Sequence, residues 1–91
     1  MNAKQMQEVV DVCKMLGDPT RLAIIEILAR GAKSVGALCE KLDLPQPTTS
    51  HHLALLRMSG IVKREQKGKR RMYSLEHTRL TPVKMFLAKL K

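Results

Sequence analysis

The amino-acid sequence predicts a mainly α-helical protein with a small β-hairpin near its carboxyl end. Apolar residues recur every three or four positions in several segments, which is the spacing of helices. Capping residues, prolines and glycines separate these segments. After Gly60 the helical spacing gives way to the alternation that is typical of strands. A chain of 91 residues is expected to form a single domain, here 1–91.

The most informative segment is a helix that is predicted between Pro47 and Gly60. Proline suits the first turn of a helix, where its missing N–H costs nothing, and glycine suits the left-handed stop. Thr49, Leu53 and Leu56 recur at helical spacing and predict one buried stripe.

The opposite face of this helix carries polar or basic side chains and no acid: Gln46, Thr48, Ser50, His51, His52 and Arg57. Such a face suits the major groove of DNA, whose base edges offer both donors and acceptors. The alternative is an ordinary amphipathic surface helix, but such a helix usually shows Glu and Lys outside. We prefer the DNA interpretation because the neighbouring segments agree with it.

Net charge points to a polyanionic partner. The formal charge is +9, which favours nucleic acid first and an anionic membrane second. No apolar run approaches the roughly 20 residues of a membrane span, and no signal-peptide pattern opens the chain. We therefore expect a cytoplasmic protein without a membrane partner, in which two cysteines are free thiols rather than a structural bridge.

Three helices are predicted before this segment. The first covers residues 4–16, and its apolar stripe is Met6, Val9, Val10, Cys13 and Leu16. The second starts at the N-cap Asp18, runs to about Arg30 and is apolar around much of its girth, from Leu22 to Leu28, so we expect it at the centre of the core. Ser34 caps the third helix, and the short connection 43–45 makes residues 34–59 a helix-turn-helix.

A basic hairpin is predicted to follow, over residues 61–75. Its strands are residues 61–65 and 71–75, and its tip is 66–70 with Gly68 in the turn. The hairpin contains only one acid, Glu65, but six cations. The cations are Lys63, Arg64, Lys67, Lys69, Arg70 and Arg71. Lysines also protect exposed sheet edges against aggregation, but one or two lysines are enough for that. We therefore predict phosphate contacts, with Arg70 able to reach a minor groove.

The last predicted helix covers residues 81–90 and starts at Thr81 and Pro82. A basic amphipathic helix can lie on a membrane, but this one is short. We expect it to pair with the first helix, and both to pack across a two-fold axis. The predicted dimer interface contains Met6, Val9, Val10, Val83, Phe86, Leu87 and Leu90.

The whole order, with four helices, two strands and a final helix, is that of a winged helix-turn-helix. Four motifs resemble the ArsR/SmtB family of bacterial repressors: LGDPTRLAII at 16–25, SVGALC at 34–39, QPTTSHHLALLRMSGIV at 46–62 and YSL at 73–75. The resemblance covers roughly residues 10–76. It implies a homodimer that binds an inverted repeat in double-stranded DNA and leaves when an effector arrives.

The resemblance also assigns roles to single residues. Gln46, Thr48, Ser50 and His51 match the positions that family members present to bases, and His52 matches a histidine that contacts the DNA backbone. Thr49 stands where many members have an aliphatic residue. The predicted backbone contacts are His52, Arg57, Lys67, Lys69, Arg70 and Arg71.

The sequence contains only some of the residues with which members of this family bind an effector. Its cysteine pair for metals falls at Ser34 and Gly36, and residues 82–91 contain no His, Asp, Glu or Cys, so the sequence predicts no metal site and no cofactor. Cys39 matches one cysteine of the thiol-sensing branch, and Cys13 is the only available partner. These two are either a redox pair or small buried hydrophobes. The third possibility is a regulator without a built-in inducer site.

Two rival classes have different signatures. A structural or RNA-binding winged helix explains the charge equally well, but it needs neither acid-free base readers nor a dimer. An enzyme is not predicted, because no nucleophile, base and orienting group share an element. The adjacent His51 and His52 point about 100° apart on a helix rather than converging.

Overall fold

Five α-helices and a three-stranded antiparallel sheet form the part of the chain, residues 1–90, that the computed structural model describes. The elements are α1 (Ala3–Leu16), α2 (Pro19–Leu28), β1 (Lys33–Ser34), α3 (Val35–Leu42), α4 (Gln46–Met58), β2 (Val62–Lys67), β3 (Arg70–Leu75) and α5 (His77–Ala88). The predicted mainly α fold with a small β-hairpin is confirmed. Lys91, the last residue of the predicted domain, lies outside the described residues. No helix within residues 1–90 combines the length and the apolar character needed to cross a membrane.

The core surrounds α2 and is built almost entirely from aliphatic side chains. Ile24 and Leu28 of α2 are buried together with Leu38 of α3 and with Leu53 and Leu56 of α4. Leu22, in contrast, is 52% exposed. The central position of α2 is therefore confirmed, but one of its faces meets solvent.

The helix α1 has two apolar faces rather than one. Asn2 caps it in a capping box with Gln5, and Val9 and Val12 are buried against the core. Met6 and Val10, which belong to the predicted stripe, are exposed. The stripe predicted for α1 was thus partly wrong, because it joined residues of the buried face to residues of the outer face and missed Val12.

A third strand, β1, is the element that the sequence did not predict. It pairs antiparallel with β3, so the sheet has the order β1-β3-β2. Lys33 lies opposite Tyr73 and Ser34 opposite Met72. Ser34 also caps α3 as predicted, since its Oγ accepts the backbone N–H of Ala37 at 3.2 Å. The same residue thus ends a strand and starts a helix, and this fixes α3 to the sheet.

The strands of the hairpin are longer than predicted and its turn is tighter. Lys67 lies opposite Arg70, so only Gly68 and Lys69 make the turn. Gly68 has a φ of 63°, as two-residue turns with glycine in the first position require. The predicted tip over 66–70 was wrong because most of these residues continue the ladder.

The last helix begins at His77 rather than Thr81, and Pro82 lies inside it. A proline deprives one carbonyl of its helical partner, here that of Thr78, which is an exposed residue that water can reach. Leu80 and Val83 pack against the core on either side of the proline. Burial of these side chains outweighs the lost hydrogen bond, so the helix starts a turn earlier than the proline indicated.

The helices α1 and α5 pack against each other within one chain. Val9 and Val83, two residues of the predicted dimer interface, are buried there. Phe86 is half-buried, whereas Met6, Val10, Leu87 and Leu90 stay exposed. We call these four exposed residues the outer apolar face.

Candidate nucleic-acid interface

The turn between α3 and α4 sets the position of the candidate reading helix. Asp43 takes a left-handed conformation with φ 53°, which Asp tolerates better than most residues. Its backbone N–H donates to the carbonyls of Cys39 and Glu40, and the N–H of Leu44 donates to Cys39 at 3.2 Å. Pro45 then forms the N-cap of α4. The chain therefore reverses within residues 43–45, as the predicted helix-turn-helix requires.

The inner face of α4 anchors this helix to the core. Thr49, Leu53 and Leu56 are all buried, which confirms the predicted stripe. At the carboxyl end, Gly60 has a φ of 80° and the N–H of Ile61 donates to the carbonyl of Leu56 at 3.0 Å. This is the left-handed helix stop that the glycine predicted.

The outer face of α4 is polar, cationic and free of acid. Gln46, Thr48, His51 and Arg57 are exposed, and Ser50 is half-buried beside them. No Asp or Glu occurs anywhere in α4. The helix therefore presents hydrogen-bonding groups without a charge that would repel phosphates.

His52 differs from its neighbours because it faces α2. Its side chain is only 16% exposed, and its Nδ1 lies 3.9 Å from Oδ2 of Asp18. This Nδ1 is buried and has no hydrogen-bond partner within the described residues. The ring meets that of His51 edge to face, with centroids 5.6 Å apart.

Asp18 has two neighbours at once. Its Oδ2 accepts the backbone N–H of Arg21 at 3.0 Å, which confirms Asp18 as the N-cap of α2. That hydrogen bond is the main reason why the pKa of the Asp18 carboxyl lies below its usual value; burial opposes it, and the neighbouring His52, when protonated, lowers this pKa to a lesser extent. The sequence carried no sign of the pairing with His52, because the two residues belong to different helices.

The hairpin β2–β3 forms a cationic wing. All six of its lysines and arginines are exposed. Lys63 lies 4.0 Å from Glu76, an exposed ion pair of little energetic value. Around the turn, Lys67, Lys69, Arg70 and Arg71 have no acid within 4.0 Å among the described residues. Arg70 extends toward the base of the helix-turn-helix, where its Nη2 lies 3.4 Å from Oγ of Ser34.

A contact between α5 and the end of α4 also escaped sequence reasoning. The guanidinium of Arg79 covers Gly60 so closely that a Cβ at this position would lie 2.6 Å from its Nε. A side chain at Gly60 would therefore displace Arg79, besides straining the backbone. The last helix thus contacts the glycine stop that follows the reading helix.

The candidate effector residues lie on two separate helices. Cys13 is exposed on α1, Cys39 is half-buried on α3, and both are free thiols. Within residues 1–90, no three side chains of the His, Cys, Asp and Glu types come close enough together to hold a metal ion. The redox pair of Cys13 and Cys39 stays a prediction.

A helix-turn-helix formed by α3 and α4, followed by the wing β2–β3, defines a winged helix-turn-helix protein. The model of the arsR family of bacterial regulatory proteins matches residues 18–64, which include the whole reading helix and the first strand residues of the wing. The chain belongs to the arsR family of bacterial regulatory proteins.

Individual relatives agree with this assignment. An HTH-type transcriptional regulator of Methanocaldococcus jannaschii is 36% identical over 81 residues, 88% of this chain and 91% of that protein. The biofilm growth-associated repressor of Agrobacterium fabrum is 43% identical over 72 residues, 79% of this chain. The match spans 62% of that repressor, less than two thirds of its length.

Solved structures share the fold over nearly the whole chain. The transcriptional repressor BigR from Xylella fastidiosa is 34% identical with a TM-score of 0.78, covering 97% of this chain and 91% of its own. A homodimeric winged helix-turn-helix DNA-binding domain from Mycobacterium bovis is 26% identical with a TM-score of 0.76, covering 96% and 82%.

Proposed function

We propose that this protein is a homodimeric, sequence-specific DNA-binding repressor that inserts α4 into the major groove. The observation that carries the proposal is the acid-free outer face of α4, held by a fully buried inner face and flanked by a cationic wing. Base edges require short donors and acceptors, and phosphates require cations. Both kinds of group lie on adjacent elements of this fold.

The base contacts in this proposal come from Gln46, Thr48, Ser50 and His51. Three of these side chains are exposed and Ser50 is half-buried. The phosphate contacts come from His52, Arg57 and the wing cations Lys67, Lys69, Arg70 and Arg71. The wing then grips the strands beside the groove that α4 reads.

Dimerisation places two reading helices on one DNA molecule. The outer apolar face supports a dimer because solvent-exposed aliphatic side chains of this kind favour association. The homodimeric state of the domain from Mycobacterium bovis supports it as well. A dyad puts the two copies of α4 about 34–36 Å apart, the spacing of successive major grooves, so the operator is an inverted repeat. Repression follows from occlusion of the polymerase.

The test uses duplexes that the protein enriches from a random-sequence library. A repressor should prefer its enriched duplex to random DNA by about 10³-fold or more, whereas a structural nucleic-acid binder should not. Replacing Ser50 and His51 together by alanine should cost about 1–3 kcal/mol of discrimination at the base pairs that they contact.

The matched control is the double replacement of His77 and Thr78 by alanine, because this pair offers similar groups, exposed on α5. It should leave the preference unchanged. A purified protein that is monomeric would overturn the proposal. So would a Ser50→Ala/His51→Ala variant that keeps the wild-type choice of duplex.

A further inference from the structure

We infer that Asp18 is a positioning residue for His52, and that binding of DNA takes up one proton on this histidine. The inference rests on the proposed function, because it concerns how α4 meets a phosphate. It assigns a role in DNA binding to a residue of α2, which lies outside the helix-turn-helix.

The geometry places His52 between two anions. On the inner side, its buried Nδ1 faces the Asp18 carboxylate at 3.9 Å and has no hydrogen-bond partner among residues 1–90. On the outer side, α4 is the helix that approaches the phosphates in the proposed complex. The ring nitrogen Nε2 is then the atom that meets the DNA backbone.

The protonation state follows from this arrangement. A neutral imidazole carries one N–H and one lone pair, so it can donate to only one of two anions. If Nδ1–H points at Asp18, the lone pair of Nε2 faces the phosphate; if Nε2–H points at the phosphate, the lone pair of Nδ1 faces the carboxylate. The imidazolium has an N–H for each anion. DNA binding therefore favours uptake of a proton from solvent.

Other charged groups near the ring do not replace this role. From α2, Arg21 is close to Asp18, but its guanidinium donates to the carbonyls of Met15 at 2.8 Å and Lys14 at 3.4 Å, at the end of α1. From α4 itself, His51 meets the ring by its edge. Within residues 1–90, Asp18 is the only acid within 4.0 Å of His52. Removal of its charge is therefore a specific test.

The variant Asp18→Asn separates positioning from helix capping. Asparagine caps a helix N-terminus as well as aspartate does, so α2 should keep its start. The oxygen that caps α2, Oδ2, is also the atom that faces Nδ1, so in the capped variant a neutral amide oxygen stands there in place of a carboxylate. A neutral oxygen stabilises the imidazolium less than a carboxylate does, so the fall of affinity with pH should become shallower.

The experiment measures the affinity of the full chain for a fluorescent 30-base-pair duplex of mixed sequence by anisotropy, from pH 5.5 to 7.5 at constant ionic strength. A mixed sequence suffices because phosphate contacts do not depend on sequence. Wild-type affinity should fall about tenfold for each subunit between pH 6 and 7.5, and so up to about a hundredfold for the dimer, since each linked proton changes affinity by at most tenfold per pH unit. Asp18→Asn should give a shallower profile than the wild type, and His52→Gln a flat profile with weaker binding.

Two histidine variants serve as controls. His77→Gln, on α5, should keep both the wild-type affinity and its fall with pH. His51→Gln removes the other histidine of α4 and should keep the same fractional fall. Circular dichroism melting checks that each variant is folded, and Asp18→Ser, which also caps without charge, replaces Asp18→Asn if the latter is not.

The outcomes separate this inference from the proposed function. A wild-type protein that binds with a flat pH profile overturns the proton uptake, and an Asp18→Asn profile parallel to that of the wild type overturns the role of Asp18. Both leave the proposed function intact. Failure to bind any duplex at any pH overturns the proposed function itself.

Discussion

Thr49, on the inner face of the reading helix α4, has a buried hydroxyl. Its side chain is 0% exposed, and its Oγ1 has no hydrogen-bond partner within the described residues. A buried polar atom without a partner costs about 1–3 kcal/mol. The resemblance had already marked this position, where many family members have an aliphatic residue. Removal of the Thr49 hydroxyl should therefore increase the free energy of unfolding.

We expect Thr49→Val to stabilise the protein by about 1 kcal/mol, because valine keeps the shape and branching of threonine and removes the unpaired hydroxyl. For a domain of this size the melting temperature should rise by about 4–8 °C at equal protein concentration. Thr48→Val, at the exposed neighbouring position, should change stability by no more than about 0.5 kcal/mol. A lower melting temperature for Thr49→Val would show that the hydroxyl is satisfied.

Residue-scale features were predictable from sequence when they were local. The caps Asp18 and Ser34, the stop at Gly60 and the buried stripe of α4 all depend on neighbours within a few positions, and all are confirmed. The approach of Asp18 to His52 depends on how α2 packs against α4. Periodicity fixes which face of a helix is buried, but not which residue of another helix it meets.

At the scale of elements, the differences have one physical cause, which is that tertiary contacts overrode local preference. Pro82 indicated a helix start, but burial of Leu80 and Val83 extends α5 back to His77. The strand β1 spans only Lys33–Ser34, too short for any alternation to appear. It exists because β3 offers a free edge for pairing.

The wing should determine the salt dependence of DNA binding. If each subunit neutralises three or four phosphates, the logarithm of the binding constant should fall with the logarithm of salt concentration at a slope of about −5 to −7. Lys67→Gln combined with Lys69→Gln removes two cations per subunit from the tip of the wing. The slope should then become shallower by about 3–4 for the dimer.

The control for this measurement is Lys4→Gln, because Lys4 is an exposed cation on α1, which belongs to neither the helix-turn-helix nor the wing. It should leave the slope unchanged. A double wing variant with the wild-type slope would mean that the hairpin does not touch phosphates, and its six cations would then only guard a sheet edge.

At the scale of the whole molecule, one chain leaves part of its aliphatic surface uncovered. The outer apolar face lies on α1 and α5, where Val10 is 40% and Leu87 56% exposed. The sequence predicted the association of these helices with each other, which the structure shows within one chain. It did not separate the residues that serve this contact, such as Val9 and Val83, from those that remain exposed.

Val10→Glu should shift the protein from a dimer toward a monomer, because it places a charge in the outer apolar face. Its exposure means that the fold of a single chain should tolerate the change. Light scattering should report twice the 10.3 kDa of one chain for the wild type and a lower mass for the variant. Leu22→Glu, which alters an exposed leucine of α2, should stay dimeric. The reverse pattern would assign the interface to α2.

The pairing of β1 with β3 has a consequence for protein engineering. The strand β1 continues directly into the helix-turn-helix, while β3 is half of the wing, so hydrogen bonds of one sheet join the two parts that contact DNA in the proposed complex. This pairing fixes where the wing stands relative to the start of α3. A designer who wishes to transplant this wing to another scaffold must carry over Lys33 and Ser34 with it; without them the transplanted hairpin would lose its alignment.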